Sequence, residues 1–338
     1  MKRPIALVTL AVLGLASVSL ITLITPSSAI GAPLPSDPAV SLLASGLEGA
    51  VGSTVGPGGA LYVTEAIPGR ITRVDPETGE KTTFASGLPT RIFPIPFGGA
   101  MDVAFIGDTA YVLVTLVDLG GDTVGIYRID GPNTFTVIAD IGAFALQNPP
   151  TPAFTVPTGV QYALQVYRDG FLVTDGHHNR VLHVTLDGEI TEFVAFDDQI
   201  VPTGLAVRGN TVYLAQAGPV PHLPENGKVV TIRPQSGTVT EVASGAPLLV
   251  DVEFGRGRRL YALSQGVFPV GARDGSPASP GTGTLVEVNP DGSMTVVVEG
   301  LNQPTSLEFI GNTAYVVNLA GEIWKITDVS GPPFGVSH

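Results

Sequence analysis

The chain has no cysteine, one tryptophan and three methionines in 338 residues. Without cysteine there is no disulfide, no thiol nucleophile and no lipoprotein acylation site. A chain this long can build a core large enough to dispense with disulfides, so their absence does not bar export. Charge is also sparse. Only 14% of residues are charged, and 17 Lys and Arg face 30 Asp and Glu for a net −13. That balance makes nucleic acid and anionic membrane surfaces poor partners. Cations, sugars, apolar metabolites and basic proteins stay open. Helical periodicity is missing as well: beyond the N-terminus no helix of useful length is visible.

What is abundant is glycine (42) and proline (29), spaced between β-rich runs in a chain that is 44% hydrophobic. One short phrase recurs six times, at Leu61-Tyr62-Val63, Ala110-Tyr111-Val112, Phe171-Leu172-Val173, Val212-Tyr213-Leu214, Leu260-Tyr261-Ala262 and Ala314-Tyr315-Val316. Units of about 40 to 50 residues with several short strands each are the signature of a β-propeller. A strand precedes each anchor, as in Gly204–Val207, and a third strand follows, as in Ile71–Val74. Turns rich in Asp, Pro, Asn and Gly then lead to a fourth strand, supplying the φ > 0 and preset φ that hairpins need. The sixth unit has no fourth strand of its own. The segment from Pro38 to Leu47 has the Ala-Ser-Gly-Leu ending of blade one's fourth strand and no partners nearby. The expectation is an all-β, six-bladed propeller over residues 38–330, closed by an N-terminal strand that completes the last blade.

Met1-Lys2-Arg3, an apolar run from Ile5 to Ile24 and the small residues after it read as a signal peptide, cleaved after Ala29 or Ala32. Residues 30–37 are then a linker and 331–338 a tail. Cleavage removes Lys2 and Arg3 and leaves the mature chain at −15. The run is long enough to span a bilayer, so membrane attachment follows only if it is retained. Either way the propeller is expected to be secreted or extracytoplasmic.

The strand order puts the turns between strands one and two, and three and four, on one face; all of these are short. The long connections fall on the other face: Gly87–Ala100, Val117–Thr123, the proline-rich Phe144–Pro157, Ala217–Gly227 and Gly266–Thr282. Loops held on a rigid scaffold carry function, so the long-loop face is the expected site.

Aligned on the anchors, the second strands end in Glu65, Val114, Asp175, Gln216, Ser264 and Asn318. This polar ring could hold a hard divalent cation such as Ca²⁺, with Glu65, Asp175 and Asn318 as ligands, or it could cap turns. A second aligned position, on the first strands that line the channel, holds Asp102, Gly204, Asp251 and Ser306. Asp102 and Asp251 add carboxylates there, which repel unless a cation or base is near. His177, beside His178 in a long-face loop, is a candidate base or ligand, and a solvated turn is the competing reading. No Ser-His-Asp order and no zinc spacing emerges.

The stretch from Leu172 to Val181 resembles an NHL-repeat strand pair, which implies that Asp175 and Arg180 brace the blade. Leu61–Glu65 with Gly69-Arg70-Ile71 and Arg73–Pro76 is similar to the SMP-30/gluconolactonase group. Across the mature chain, the exported six-bladed pattern, the Ala-Ser-Gly-Leu junctions and the Pro-Thr-Gly and Pro-Thr-Ser strand openings most resemble the ScyD/ScyE family. That family is named for proteins of cyanobacterial scytonemin biosynthesis, and it has no established biochemical role. Taken with the long-loop face, the expectation is an exported binding or accessory propeller holding a small molecule or protein there, and a monomer, since a closed propeller has little need of a second copy. The alternative is a divalent-metal hydrolase or lactonase of SMP-30 type.

Overall fold

The computed structural model describes residues 37–92, 97–118, 120–151, 155–234 and 236–331. The expected signal segment, the expected linker up to residue 36, the tail from 332 and residues 93–96 of the first long loop lie outside these.

Six four-stranded antiparallel sheets form the blades. Blade one is built from Ala50–Val55, Leu61–Glu65, Arg70–Val74 and Lys81–Ser86. The first strands of the other blades are Gly99–Ile106, Gln161–Tyr167, Pro202–Arg208, Leu249–Phe254 and Pro304–Ile310. Each packs beside the first strand of the next blade, and the last packs on that of blade one. The anchors are buried second strands rich in β-branched and aromatic residues, such as Leu61–Glu65, where all five are buried. Fourth strands are mostly exposed, as in Lys81–Ser86.

Closure occurs as expected. Ala39–Ala44 pairs antiparallel with Ile323–Thr327, setting Val40 opposite Ile326 and Leu42 opposite Trp324. The turns follow their chemistry. Gly79, at φ 73°, ends the Asp75 turn of blade one, where a Cβ would collide with the Leu43 carbonyl of the closing strand.

All six first strands share one irregularity. Their register against the second strand slips near the middle, between Ala50 and Ser53, Ala100 and Asp102, Gln161 and Leu164, Pro202 and Leu205, Leu249 and Asp251, and Pro304 and Ser306. A bulge re-aims a side chain, and here the affected positions include Asp102, Asp251 and Ser306, which line the channel.

Every long connection lies on one face. One of them contains a helix, Ile141–Gln147, that the β-rich reading did not anticipate. Asp140 starts it by accepting from the Ala143 N–H at 2.7 Å, an N-cap that satisfies an otherwise orphaned donor.

Candidate functional site

The polar ring ending the second strands is taken up by local structure. Glu65 is fully buried. Arg70 reaches it from the facing strand with Nε 2.7 Å and Nη2 2.8 Å from its two oxygens, and Thr72 and the Glu48 N–H also donate to it. Burial alone would raise its pKa, but these donors and the Arg70 charge hold it below the ordinary value. Asp175 is equally buried and accepts from the Val160 and His178 N–H groups at 3.0 and 3.3 Å. Its other oxygen lies 3.1 Å from His178 Nδ1 and 3.5 Å from Arg180 Nε. Asn318 donates to Glu322 Oε2 at 2.9 Å and accepts from the Glu322 N–H at 3.0 Å. Ser264 donates to the Pro247 carbonyl, and Gln216 is buried.

Glu65, Asp175 and Asn318 are thus each bonded within their own blade, and the two Glu65 oxygens together take four donors. Among the described residues, no group of three or more His, Asp or Glu side chains is placed to hold a metal ion.

His177 and His178 diverge. His178 is buried in the Asp175–Arg180 network with Nε2 3.1 Å from the Val156 carbonyl, and Arg180 donates to the Asn148 carbonyl at 2.9 Å. This network ties down the loop between blades two and three, the bracing role the NHL resemblance implies. The His177 Nε2 accepts from the Val156 N–H at 3.3 Å, and burial, then the neighbouring His178, lowers its pKa.

The first strands carry a different arrangement. Asp102 Oδ1 accepts from the Val103 N–H at 2.9 Å, and Oδ2 accepts at 2.7 Å from the Leu164 N–H of the next blade. Three blades further round, Asp251 repeats this with Val252 at 2.9 Å and Leu307 at 2.8 Å. Ser306 continues the series, its hydroxyl accepting from the Ser53 N–H at 3.1 Å. The preceding blades hold Gly52 and Gly204 at this position, where a Cβ would collide with Asp102 and Asp251. Glycine makes the space into which each aspartate turns. The Pro-Thr pairs act similarly: Thr203 Oγ1 lies 2.9 Å from the Leu249 carbonyl, and Thr305 Oγ1 lies 2.7 Å from the Val51 carbonyl, each in the following blade.

Two further carboxyls join Asp102 and Asp251 in a channel cavity of about 120 Å³, namely Glu253 and Glu308. Both were missed from sequence although the signal was present. Asp251-Val-Glu253 and Ser306-Leu-Glu308 place them two residues on along a strand, which is the same face. All four are half-buried. Burial raises Asp251 to about 7 and pushes Asp102, Glu253 and Glu308 up as well; for Glu308 the neighbouring carboxylates add to burial.

The cavity is lined by the later halves of the first strands, so it lies toward the short-hairpin face. On the long-loop side, Tyr162 crosses the channel from blade three to donate to the Thr305 carbonyl of blade six at 2.9 Å, beside the fully buried Met101. Tyr162 and Met101 thus lie on the long-loop side of the acids, lining a second small cavity with Asp102 and Asp251.

On the long-loop face, the Gly266–Thr282 loop of blade five makes contacts around the ring. Phe268 packs edge-on to His222 with centroids 5.2 Å apart, Gln303 of blade six donates to the Ala278 carbonyl at 2.6 Å, and Gly275 adjoins Phe97. Val270, in the same loop, is fully exposed.

No protein-family model matches the chain, and no curated protein matches it. Solved propellers do. A gluconolactonase from Xanthomonas campestris is 14% identical with a TM-score of 0.61, covering 87% of this chain and 90% of that one. A virginiamycin B lyase from Staphylococcus aureus, in complex with quinupristin, is 15% identical with a TM-score of 0.54 over 86% of this chain and 99% of that one. A chain of a nidogen/laminin complex is 18% identical with a TM-score of 0.51 over 77% and 84%. At these identities the likeness shows the propeller fold alone, which hosts unrelated functions; the count of six blades comes from the chain's own six sheets.

Proposed function

We propose that the protein is an exported, monomeric ScyD/ScyE-like propeller that works by binding, holding a metabolite or a partner protein on its long-loop face. The observation that carries this reading is the distribution of exposed apolar side chains. Among the described residues, Ile67, Ile92, Val220, Leu223, Val267 and Val270 stand exposed on the loops of that face, whereas Leu186 is the exposed large apolar residue of the short-hairpin turns. Apolar groups gathered on loops at one end of a scaffold suit recognition. Among the described residues, Glu65 and Asp175 of that side are bonded within their own blades, and His177 and His222 bond loop backbone.

The metal-dependent hydrolase reading shares the fold of the gluconolactonase neighbour. A cation at Glu65, Asp175 or Asn318 would have to displace the hydrogen-bond partners each has within its own blade.

Native mass spectrometry of the exported full-length chain tests the binding reading, with a Val267→Asp/Val270→Asp variant as control. A bound mass retained by the wild type and lost in the equally stable variant supports it. Turnover of lactones with added divalent ions, unchanged in that variant, overturns it.

A further inference from the structure

Four carboxyl groups line the channel cavity, and two of them hold blade seams. Asp102 accepts from the backbone of blade three and Asp251 from that of blade six, while Glu308 lines the cavity together with Val55 of blade one. Glu253 accepts from its own neighbour, the Phe254 N–H, at 2.8 Å. The groups facing them are uncharged: Ser53 and Thr54 from blade one, Gln165 and the Tyr162 phenol from blade three, Leu205 from blade four and Ser306 from blade six. No arginine or lysine lines the cavity. Arg208, at the short-hairpin end, is stacked on Phe254 with its guanidinium carbon 5.4 Å from the ring centroid.

We propose that this acidic half of the channel is a proton-linked closure: the ring is tightest while the four carboxyl groups keep their protons, and it loosens as they ionise together. The protons leave to solvent. The charges that remain repel across a half-open cavity with no basic residue in its lining, and that repulsion between the first strands of blades two, five and six outweighs the firmer hold that an ionised Asp102 or Asp251 has on its seam N–H group. Burial supports the same direction, because it disfavours the charged form of each group.

The sign follows from linkage. An acid whose folded pKa lies above its unfolded value stabilises the fold fully below the unfolded value, and that stability is lost as pH rises through the folded one. For Asp251 the window runs from 3.8 to about 7. This is opposite to the effect of the ion-paired Glu65, whose pKa is lowered.

The test is equilibrium unfolding of the full chain across this range and above it, for wild type, Glu308→Gln and Glu253→Gln. One unit of pKa elevation corresponds to tenfold in the folding constant. The wild-type constant should therefore fall at least about tenfold between about pH 5 and about pH 8. Each glutamine variant should flatten the profile and exceed wild type at the alkaline end. Infrared spectroscopy should detect protonated carboxylic acid in the folded wild type at neutral pH, with less in each variant, which keeps the proposal testable if one variant folds poorly. A wild-type profile that stays flat, variants that leave the slope unchanged, or no protonated acid at neutral pH would overturn it.

Discussion

Tyr162 in blade three donates to the backbone carbonyl of Thr305 in blade six at 2.9 Å, joining opposite sides of the channel. The bond crosses the channel on the long-loop side of the acidic cavity, beside Met101. Removing the hydroxyl in Tyr162→Phe strands a carbonyl in the channel, and should cost about 0.5–1.5 kcal/mol by denaturant unfolding.

Gly52 provides the space for Asp102. A Cβ there would stand 2.5 Å from both Asp102 Oδ1 and the Met101 carbonyl, and the backbone cannot yield as a side-chain tip can. Gly52→Ala should destabilise the protein by about 1–3 kcal/mol, as overpacking does. Ala163 occupies the equivalent place in blade three, so Ala163→Gly should cost less in the same unfolding assay.

Trp324 is the chain's one tryptophan and sits opposite Leu42 in the closing blade, with its Nε1 donating to Glu322 at 2.9 Å. Its fluorescence therefore reports on closure. Replacing Val40, which pairs with Ile326, by proline removes a donor from that ladder. Val40→Pro should shift Trp324 emission to longer wavelength at denaturant concentrations where wild-type emission is unchanged.

Glu65 sets the acid limit of its blade. Burial raises its pKa, but the bonds from Arg70, Thr72 and the Glu48 N–H outweigh burial and leave it lowered. The stability it contributes is present above the unfolded carboxylate value of 4.5 and is lost as pH falls through the lower folded value. Glu65→Gln should make unfolding less acid-dependent in that window and cost about 1–3 kcal/mol at neutral pH, near the range for hydrogen bonds to charged groups.

Most of the fold was legible because each level of the chain repeats. Six anchors gave six blades, the unpaired stretch before blade one supplied the missing strand, and turn residues placed the long loops on one face. The helix Ile141–Gln147 escaped because a single turn or two carries little periodicity; its readable mark was the capping Asp140. The site was half legible. Asp102 and Asp251 stood out at an aligned position on channel-lining strands. Glu253 and Glu308 follow from the same strands by the two-residue alternation, yet the bulge that directs this face inward cannot be seen from sequence. For Glu65, Asp175 and Asn318 the alignment was right and the chemistry underdetermined. A polar residue ending a buried strand can face a ligand or bond its own hairpin, and only the positions of Arg70, His178 and Glu322 decide between these.

The central claim is that these strand-end residues brace the propeller and that recognition belongs to the loops. Calorimetric titration of calcium and zinc into the full-length wild type and a Glu65→Gln/Asp175→Asn variant tests it most directly. The account predicts a lowered unfolding midpoint for the variant and identical divalent-ion titrations for the two proteins. Stoichiometric ion binding by the wild type that disappears in the folded variant would contradict it.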